Sequence, residues 1–475
     1  MKVTKCSTML ANCRAILHGF ALRANVGASP ARTTAVEGTG PHDRESPELL
    51  LVIPISSGYN GPSAQIEICP TEGVAMPLKL GPIAAQVRDM TAAATLPEQN
   101  ALLSEARQRL REEDPAALRE HLEERAQASE SRIPWLAALP TSTIKGTLAD
   151  AFSAPPAPAN FSVVAADGSA IPPDRHSPLR YYLINTGHAL LTYGAQPNAV
   201  LDSAGHLYFT DEELHIDPQG RRIPVDGARL GLKMQVEEMQ ALLEAATGAT
   251  SPAVALRDGS LIMWPLHGEE KIVQAHFLSQ FLKCLDEFQR SSLPVASYIS
   301  YSNGQDVVNA LRVRLCPTPH HDCQRCPLGD ADQELCTYLG TVRDRHLFLD
   351  DELLADGKRS QVFESSSAIL ESYRAHRIHF FYVNVGGEIA RVEAPAWVTH
   401  NADMLDLLHA VVMDQCRRSG GYPPYPPALM EAHEQAVITA AERRLVQEIV
   451  ERAMAERGMI YVRSAKDRSK RTRAV

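Results

Sequence analysis

FSVVAADGS, residues 161–169, decides how the rest of the chain reads. Small and apolar residues able to cross a core as a strand run straight into Asp167, Gly168 and Ser169. The arrangement recurs in VALRDGS, residues 254–260, where a second apolar run ends on Asp258, Gly259 and Ser260. Two strand ends would then each present a carboxylate beside a residue with no side chain. A turn is the ordinary use of Asp-Gly, because both residues tolerate positive φ and Asp bonds its own backbone. The alternative is that Asp167 and Asp258 share one metal site, and that reading needs further acids and a histidine in suitable places.

Downstream of Ser169, short runs at 181–184, 189–193, 200–201 and 207–209 are separated by Gly, Pro, Asn and Asp, which predicts an antiparallel meander. A helix over about 230–246 follows, with Leu232, Val236, Met239 and Leu243 in its stripe. Its two central acids differ. Glu237 shares a face with Lys233 and Glu244, a solvated edge, whereas Glu238 lies between Met234 and Leu242 at four-residue spacing and points inward. An inward Glu needs a partner, and a metal is one candidate.

Beyond Asp258 a helix is expected over 272–288 and an alternating run over 295–301. Residues 365–373 read as helix, and 379–385 with 388–392 as a hairpin about Gly386-Gly387. A helix over 403–418 stops at Gly420-Gly421 before four prolines. One last long helix, about 428–456, places His433 in an apolar stripe with Leu429, Ala436, Val437 and Ala440, the setting of a core histidine or of a ligand. The tail 461–475 is basic, either solvated or in contact with phosphates.

Upstream, three prolines in 154–160 form a hinge. Before it, residues 76–150 read as an N-terminal helical arm. Its stripes are Ile83, Val87, Met90 and Ala94 up to Pro97, then Leu102, Leu103, Ala106 and Leu110, then Leu118 and Leu122. One narrow stripe per helix suits a docking or dimerising arm. Residues 1–75 have basic and small residues and no acid before Glu37, the composition of a transit peptide. The preferred expectation is a disordered extension or a start codon placed too early.

With 475 residues the chain has room for two or three domains, of which 151–460 would be the main one. No run approaches the roughly 20 apolar residues of a spanning helix, so no membrane role is expected. A net charge of −10 argues against nucleic-acid binding by the whole surface and leaves room for a local basic groove. Nine cysteines are too few and too uneven for a secreted disulfide scaffold, which indicates a reducing compartment, the cytoplasm. Four of them, Cys316, Cys323, Cys326 and Cys336, fall within 316–336, spaced C-x6-C-x2-C-x9-C. Four thiolates suit a [4Fe-4S] cluster or structural zinc, with His320 or His321 able to replace a cysteine. The single close pair, Cys323 and Cys326, favours iron-sulfur over zinc, and the spacing resembles the cluster loop of endonuclease-III-type glycosylases except in its longer last gap.

Four separated stretches resemble, in this order, motifs of the NurA nucleases, particularly their bacterial branch. They are VVAADGSAIPPDRHSPLRYYLINTGHALLTYG, AVALRDGSLIMW, HFFYVNVGGEIARVEAPAWV and YPPALMEAHEQAVI. The similarity covers about 76–459, and MPLKLGPIAAQVRDM is similar to a family amino terminus. The resemblance implies an α/β, ribonuclease-H-like mixed sheet with flanking helices, to which the helical arm and a cysteine-cluster insertion are added. It implies a Mn2+- or Mg2+-dependent deoxyribonuclease, a single-strand endonuclease and 5′–3′ exonuclease, acting in end resection and double-strand break repair. Homodimers working on DNA beside a HerA-type hexameric translocase are implied too. Carried over residue by residue, Asp167, Glu238, Asp258 and His433 are the implied metal ligands. Tyr425 is the implied site tyrosine, with Tyr422 its rival because GYPPYPPAL stands where the family has one Tyr-Pro.

Other classes remain open at this point. One is a non-catalytic DNA-end or translocase-binding subunit stabilised by the cysteine cluster. Another, an ATPase of the sugar-kinase and actin type, would need glycine-rich phosphate loops that do not follow Asp258.

Overall fold

The computed structural model describes residues 80–92, 96–128, 136–174, 177–317, 326 and 328–459. The expected extension 1–75, the tail 461–475, Cys323, His320 and His321 lie outside the described residues.

Helices α1 (Leu80–Ala92), α2 (Leu96–Glu112) and α3 (Pro115–Ala128) come first. Pro97, expected to end a helix, instead sits in the first turn of α2, where a missing N–H breaks no helical bond. Asp114 opens α3 by accepting from the Ala117 amide at 2.7 Å. Ile83, Val87 and Met90 on α1 are exposed. Ala106, Leu110, Leu118 and Leu122 are fully buried in one cluster with Val308, Leu311, Leu335 and Phe380. The stripes of α2 and α3 are therefore covered by the chain's own residues, whereas that of α1 is exposed.

Strands β1 (Ala138–Pro140) and β2 (Phe152–Ser153) lead to the long meander β3 (Phe161–Ile171), β4 (Tyr182–Tyr193) and β5 (Asn198–Tyr208). The short runs of the sequence merge here into strands of 11 or 12 residues, because Gly187 and Gly205 lie inside ladders rather than at turns. A small ribbon, β6 (His215–Ile216) and β7 (Ile223–Pro224), precedes α4 (Ala228–Ala246). Then come β8 (Ala253–Asp258), α5 (Lys271–Arg290), β9 (Val295–Ile299), α6 (Asp306–Leu315), α7 (Asp330–Leu339) and α8 (Asp344–Phe348). Strands β10 (Lys358–Arg359) and β11 (Phe363–Ser365) are followed by a 3-10 turn at Ala368–Ser372, so the helix expected over 365–373 does not form. The expected hairpin is β12 (Ile378–Val385) and β13 (Glu388–Pro395), with Gly386 and Gly387 both at positive φ.

After α9 (Ala396–Thr399) and α10 (Ala402–Arg418), the single long helix expected at the end is broken in two, α11 (Pro427–Ala436) and α12 (Ala440–Glu456). Thr439 causes the restart: its hydroxyl caps the Glu442 amide while the Glu442 carboxylate reaches back to the Thr439 amide.

The eleven-stranded sheet runs β1-β11-β12-β13-β9-β8-β3-β4-β5, with β2 and β10 paired at its side. Neighbours are antiparallel except β3 with β8 and β8 with β9. Alternate residues of the central strands feed different cores. Val164, Ala166 and Ala255 pack with α4 and α5 through Met239 and Phe281. Val163, Ala165, Val254 and Leu256 pack with α10 and α11 through Leu408 and Leu429. A mixed sheet with helices on both faces is thus the architecture, as expected.

Candidate active site

In the parallel ladder, β3 pairs with β8 from Ser162 opposite Ala253 to Ala166 opposite Arg257. The partners are 91 positions apart (253 − 162 = 257 − 166 = 91), so the next step sets Asp167 beside Asp258. Both carboxylates therefore emerge together where the parallel β3–β8 ladder ends, Asp258 as the last residue of β8 and Asp167 within β3. The two Asp-Gly-Ser copies differ locally. Asp258 ends β8, and Gly259 turns at φ +74°. Asp167 continues inside β3, paired across to Gly187 on β4, so the turn reading fails for it. Each aspartate spends Oδ1 on the following glycine amide, at 2.8 Å in both cases, and has Oδ2 left.

Asp167 Oδ2 accepts from His433 Nδ1 at 2.7 Å. Leu429, Ala432 and Ala436 are the buried stripe of α11, and His433 lies beside it with a side chain 60% exposed, so it is not a core histidine. Contacts at the end of α11 hold it there. Ser169 Oγ donates to Ala436 O at 2.6 Å, and Asn185 Nδ2 donates to the same oxygen at 2.8 Å and to Gln435 O at 3.1 Å. Gly187 lets the helix backbone touch the sheet: a Cβ there would lie 2.3 Å from Ala436 N and 2.6 Å from Ala432 O.

Of the rival tyrosines, Tyr422 is 83% exposed, whereas Tyr425 packs against the core and hydrogen-bonds Asp258. Burial, reinforced by Asp258, pushes the Tyr425 hydroxyl well above its ordinary pKa, so it stays protonated at neutral pH. Asp258, Tyr425, His433, Met430 and Ile299 line an open cleft of about 430 Å3.

Glu238 is buried, as its spacing indicates, but its partner is Arg257. Arg257 Nη2 and Nε donate to Glu238 Oε2 at 2.7 and 3.2 Å. Burial raises the Glu238 carboxyl pKa, Arg257 opposes the rise, and Asp167 and Asp258 add to it. Strand alternation puts Arg257 on the α4 face with Ala255 and sends Asp258 to the α11 face with Leu256. Gly168 is the window between the faces: a Cβ there would lie 2.8 Å from Glu238 Oε1, the oxygen that Arg257 leaves alone. Glu237 is not a solvated edge; it accepts from Tyr208 at 2.6 Å and pairs with Lys233 at 3.1 Å.

Among the described residues, no three His, Cys, Asp or Glu side chains converge closely enough to hold a metal ion. The two-faced arrangement accounts for this, with Glu238 drawn to Arg257 and Asp167 to His433. The donor types nevertheless fit a hard divalent cation, since Asp167, Asp258 and Glu238 offer carboxylate oxygens and His433 one imidazole at the rim of an open cleft. Of the cysteine set, Cys316 follows the C-terminus of α6, Cys336 lies in α7, and Cys326 stands between them.

Arg257, Asn185, Ser169 and Ser260 are the site residues the sequence reading missed. The serines had a signal, the third place of each Asp-Gly-Ser: Ser169 anchors α11, and Ser260 donates to Glu393 at 2.7 Å. Arg257 had a weaker one, an arginine inside an otherwise apolar strand.

A model of the NurA domain family matches residues 161–438, or 278 of the 475. The crystal structure of the NurA nuclease from Sulfolobus solfataricus is similar at 14% identity and a TM-score of 0.38, over 62% of this chain and 85% of that one. The crystal structure of Drosophila Piwi is similar at 9% identity and a TM-score of 0.23, over 58% of this chain and 29% of that one. No curated protein matches.

Proposed function

The chain belongs to the NurA family, and from that membership we propose that it is a metal-dependent deoxyribonuclease with a ribonuclease-H-like core. The observation that carries the reading is the parallel register of β3 and β8, which ends at Ala166 opposite Arg257 and so brings Asp167 and Asp258 next on their strands, with His433 bonded to Asp167 and Tyr425 to Asp258. Asp167, Asp258, His433 and, through Oε1, Glu238 would hold Mn2+ or Mg2+. Such ions make a water nucleophilic near neutral pH and stabilise the leaving oxygen of a phosphodiester. The chain's own groups do the rest. The 2.7 Å hydrogen bond between His433 Nδ1 and Asp167 Oδ2 orients both side chains, and the protonated Tyr425 hydroxyl can donate to Asp258 or to a phosphate oxygen.

The finer parts of the reading come from the family resemblance. They are single-strand endonuclease and 5′–3′ exonuclease action, a role in end resection and double-strand break repair, a homodimer, a HerA-type translocase partner and a cytoplasmic setting. No helix among the described residues is long and apolar enough to cross a membrane. Cys316, Cys323, Cys326 and Cys336 would ligate a [4Fe-4S] cluster, or zinc, with a structural or DNA-positioning role.

One observation favours a second reading, a DNA-end or translocase binder without catalysis: Arg257 already neutralises Glu238. Metal content and DNA binding of Asp258→Ala separate the two. For a nuclease, Mn2+ occupancy and cleavage both drop while DNA binding persists; unchanged occupancy and cleavage would favour the binder.

A further inference from the structure

Ile299 and Ser300, which line the cleft beside Asp258, run on into Tyr301, a residue held at φ +49° and 66% exposed. A bulky side chain rarely takes that backbone conformation, which costs free energy and persists where the surroundings hold it. Here they hold it from both sides. Glu388 Oε1, on the first residue of β13, accepts from the Tyr301 amide at 3.0 Å, and Arg345 Nη1 donates to the Tyr301 carbonyl at 3.3 Å. The same guanidinium donates to Ser302 O at 2.9 Å and to Asn303 Oδ1 at 2.7 Å, and lies 4.0 Å from the centroid of the Tyr301 ring. These contacts fix the ring without burying it: Arg345 covers one face, and the exposure leaves the other open. A cation–π contact at an exposed position is a weak interaction, so folding alone gives little reason for a strained tyrosine held out of the core.

The place of Tyr301 in the sheet gives one. Strands β8 and β9 pair so that Asp258 stands opposite Tyr298. Tyr301 is three positions further on (301 − 298 = 3), a span of at most about 11 Å. The turn of the β12–β13 hairpin, whose Glu388 holds Tyr301, has a second exposed aromatic beside it: Tyr422 is 83% exposed, and its hydroxyl lies 3.9 Å from where a Cβ on Gly387 would be. An open aromatic face with a cation at its back suits a nucleobase, because every base has a π-face to lay on it. A base inside a duplex has both faces covered by its neighbours, so such a surface takes an unpaired one.

We propose that Tyr301, held by Glu388 and Arg345, is a stacking platform for an unpaired base of the DNA strand whose phosphate reaches Asp167 and Asp258. The proposal rests on the nuclease reading and adds to it a residue that favours single-stranded substrate.

Fluorescence anisotropy in EDTA, with the full chain and labelled DNA single strands of one length, either mixed in sequence or wholly abasic, tests it without hydrolysis. The wild type should bind the base-bearing strand about fivefold or more tighter than the abasic one. Tyr301→Ala should weaken binding of the base-bearing strand about fivefold or more and leave the abasic strand unchanged. Tyr301→Phe should bind both strands as the wild type does, because the ring and not the hydroxyl stacks. Unchanged affinity of Tyr301→Ala for the base-bearing strand, or an equal loss toward both strands, would overturn the proposal. Cleavage by the wild type with Mn2+ alongside full binding by Tyr301→Ala would end the platform alone; a base-dependent loss in Tyr301→Ala with no cleavage by the wild type would end the nuclease reading and leave Tyr301 a single-strand-binding residue.

Discussion

At Gly168 the absence of one methyl group lets Glu238 Oε1 approach the strand that carries Asp167, while Arg257 holds the other oxygen. The site is thus set by single side chains, and buried histidines elsewhere show how such residues govern stability. His379 on β12 is 3% exposed and bonds Thr399 Oγ1 at 2.7 Å. Burial, aided by His400 and nearby arginines and opposed by Glu364, holds its imidazole pKa down at about 4, against 6.5 for a free ring. The unfolded chain therefore takes up a proton on this ring from about pH 6.5 downward while the folded chain does not. Stability from His379 is complete above pH 6.5 and is lost as the pH falls to about 4, by about 3 kcal/mol in total. Urea midpoints of wild type and His379→Gln across that range should differ in slope, the variant being flatter. Identical slopes would mean that His379 is protonated in the folded protein.

Among the elements, α11 matters most, because it brings His433 to Asp167 across 266 positions of sequence. Its seat is Gly187, where a Cβ would collide with helix backbone rather than with a movable side chain. Gly187→Ala should therefore cost about 1–3 kcal/mol through overpacking, and should lower cleavage at least tenfold by shifting His433. Unfolding curves together with a cleavage assay check this; full stability and full activity would show that α11 is not seated there. Local signals made much of this level legible. Glu238 pointed inward because Met234 and Leu242 flank it at helical spacing, and Gly386-Gly387 marked its hairpin. Others were ambiguous. The apolar stripe ran on past Val437, and only the Thr439–Glu442 cap, a pattern that was there to be read, shows that a new helix begins. Pro97 is ambiguous in sequence because a proline that ends one helix and one that opens the next look alike.

On the scale of the whole molecule, a sheet ordered β1-β11-β12-β13-β9-β8-β3-β4-β5 follows from no local pattern. The parallel register that sets Asp167 beside Asp258 depends on contacts 91 positions apart, and the repeated Asp-Gly-Ser hinted at it only through its symmetry. The role of Arg257 is hidden for the same reason: its partner Glu238 lies on a helix packed across the sheet face. The mixed sheet was legible, and so was a link between the two Asp-Gly-Ser strands; the place of Glu238 with Arg257 on the face opposite Asp258 and His433 was not. The proposed function places a metal-dependent phosphodiesterase centre at Asp167 and Asp258, where the parallel β3–β8 ladder ends. The direct test is the rate at which purified wild type and Asp167→Ala cleave end-labelled single-stranded DNA with Mn2+. The account predicts cleavage by the wild type that EDTA abolishes, and a loss of about a hundredfold or more in Asp167→Ala, the scale of removing one group from a preorganised site. A wild type that cuts neither single- nor double-stranded DNA, or a variant that cuts as fast as the wild type, would contradict it.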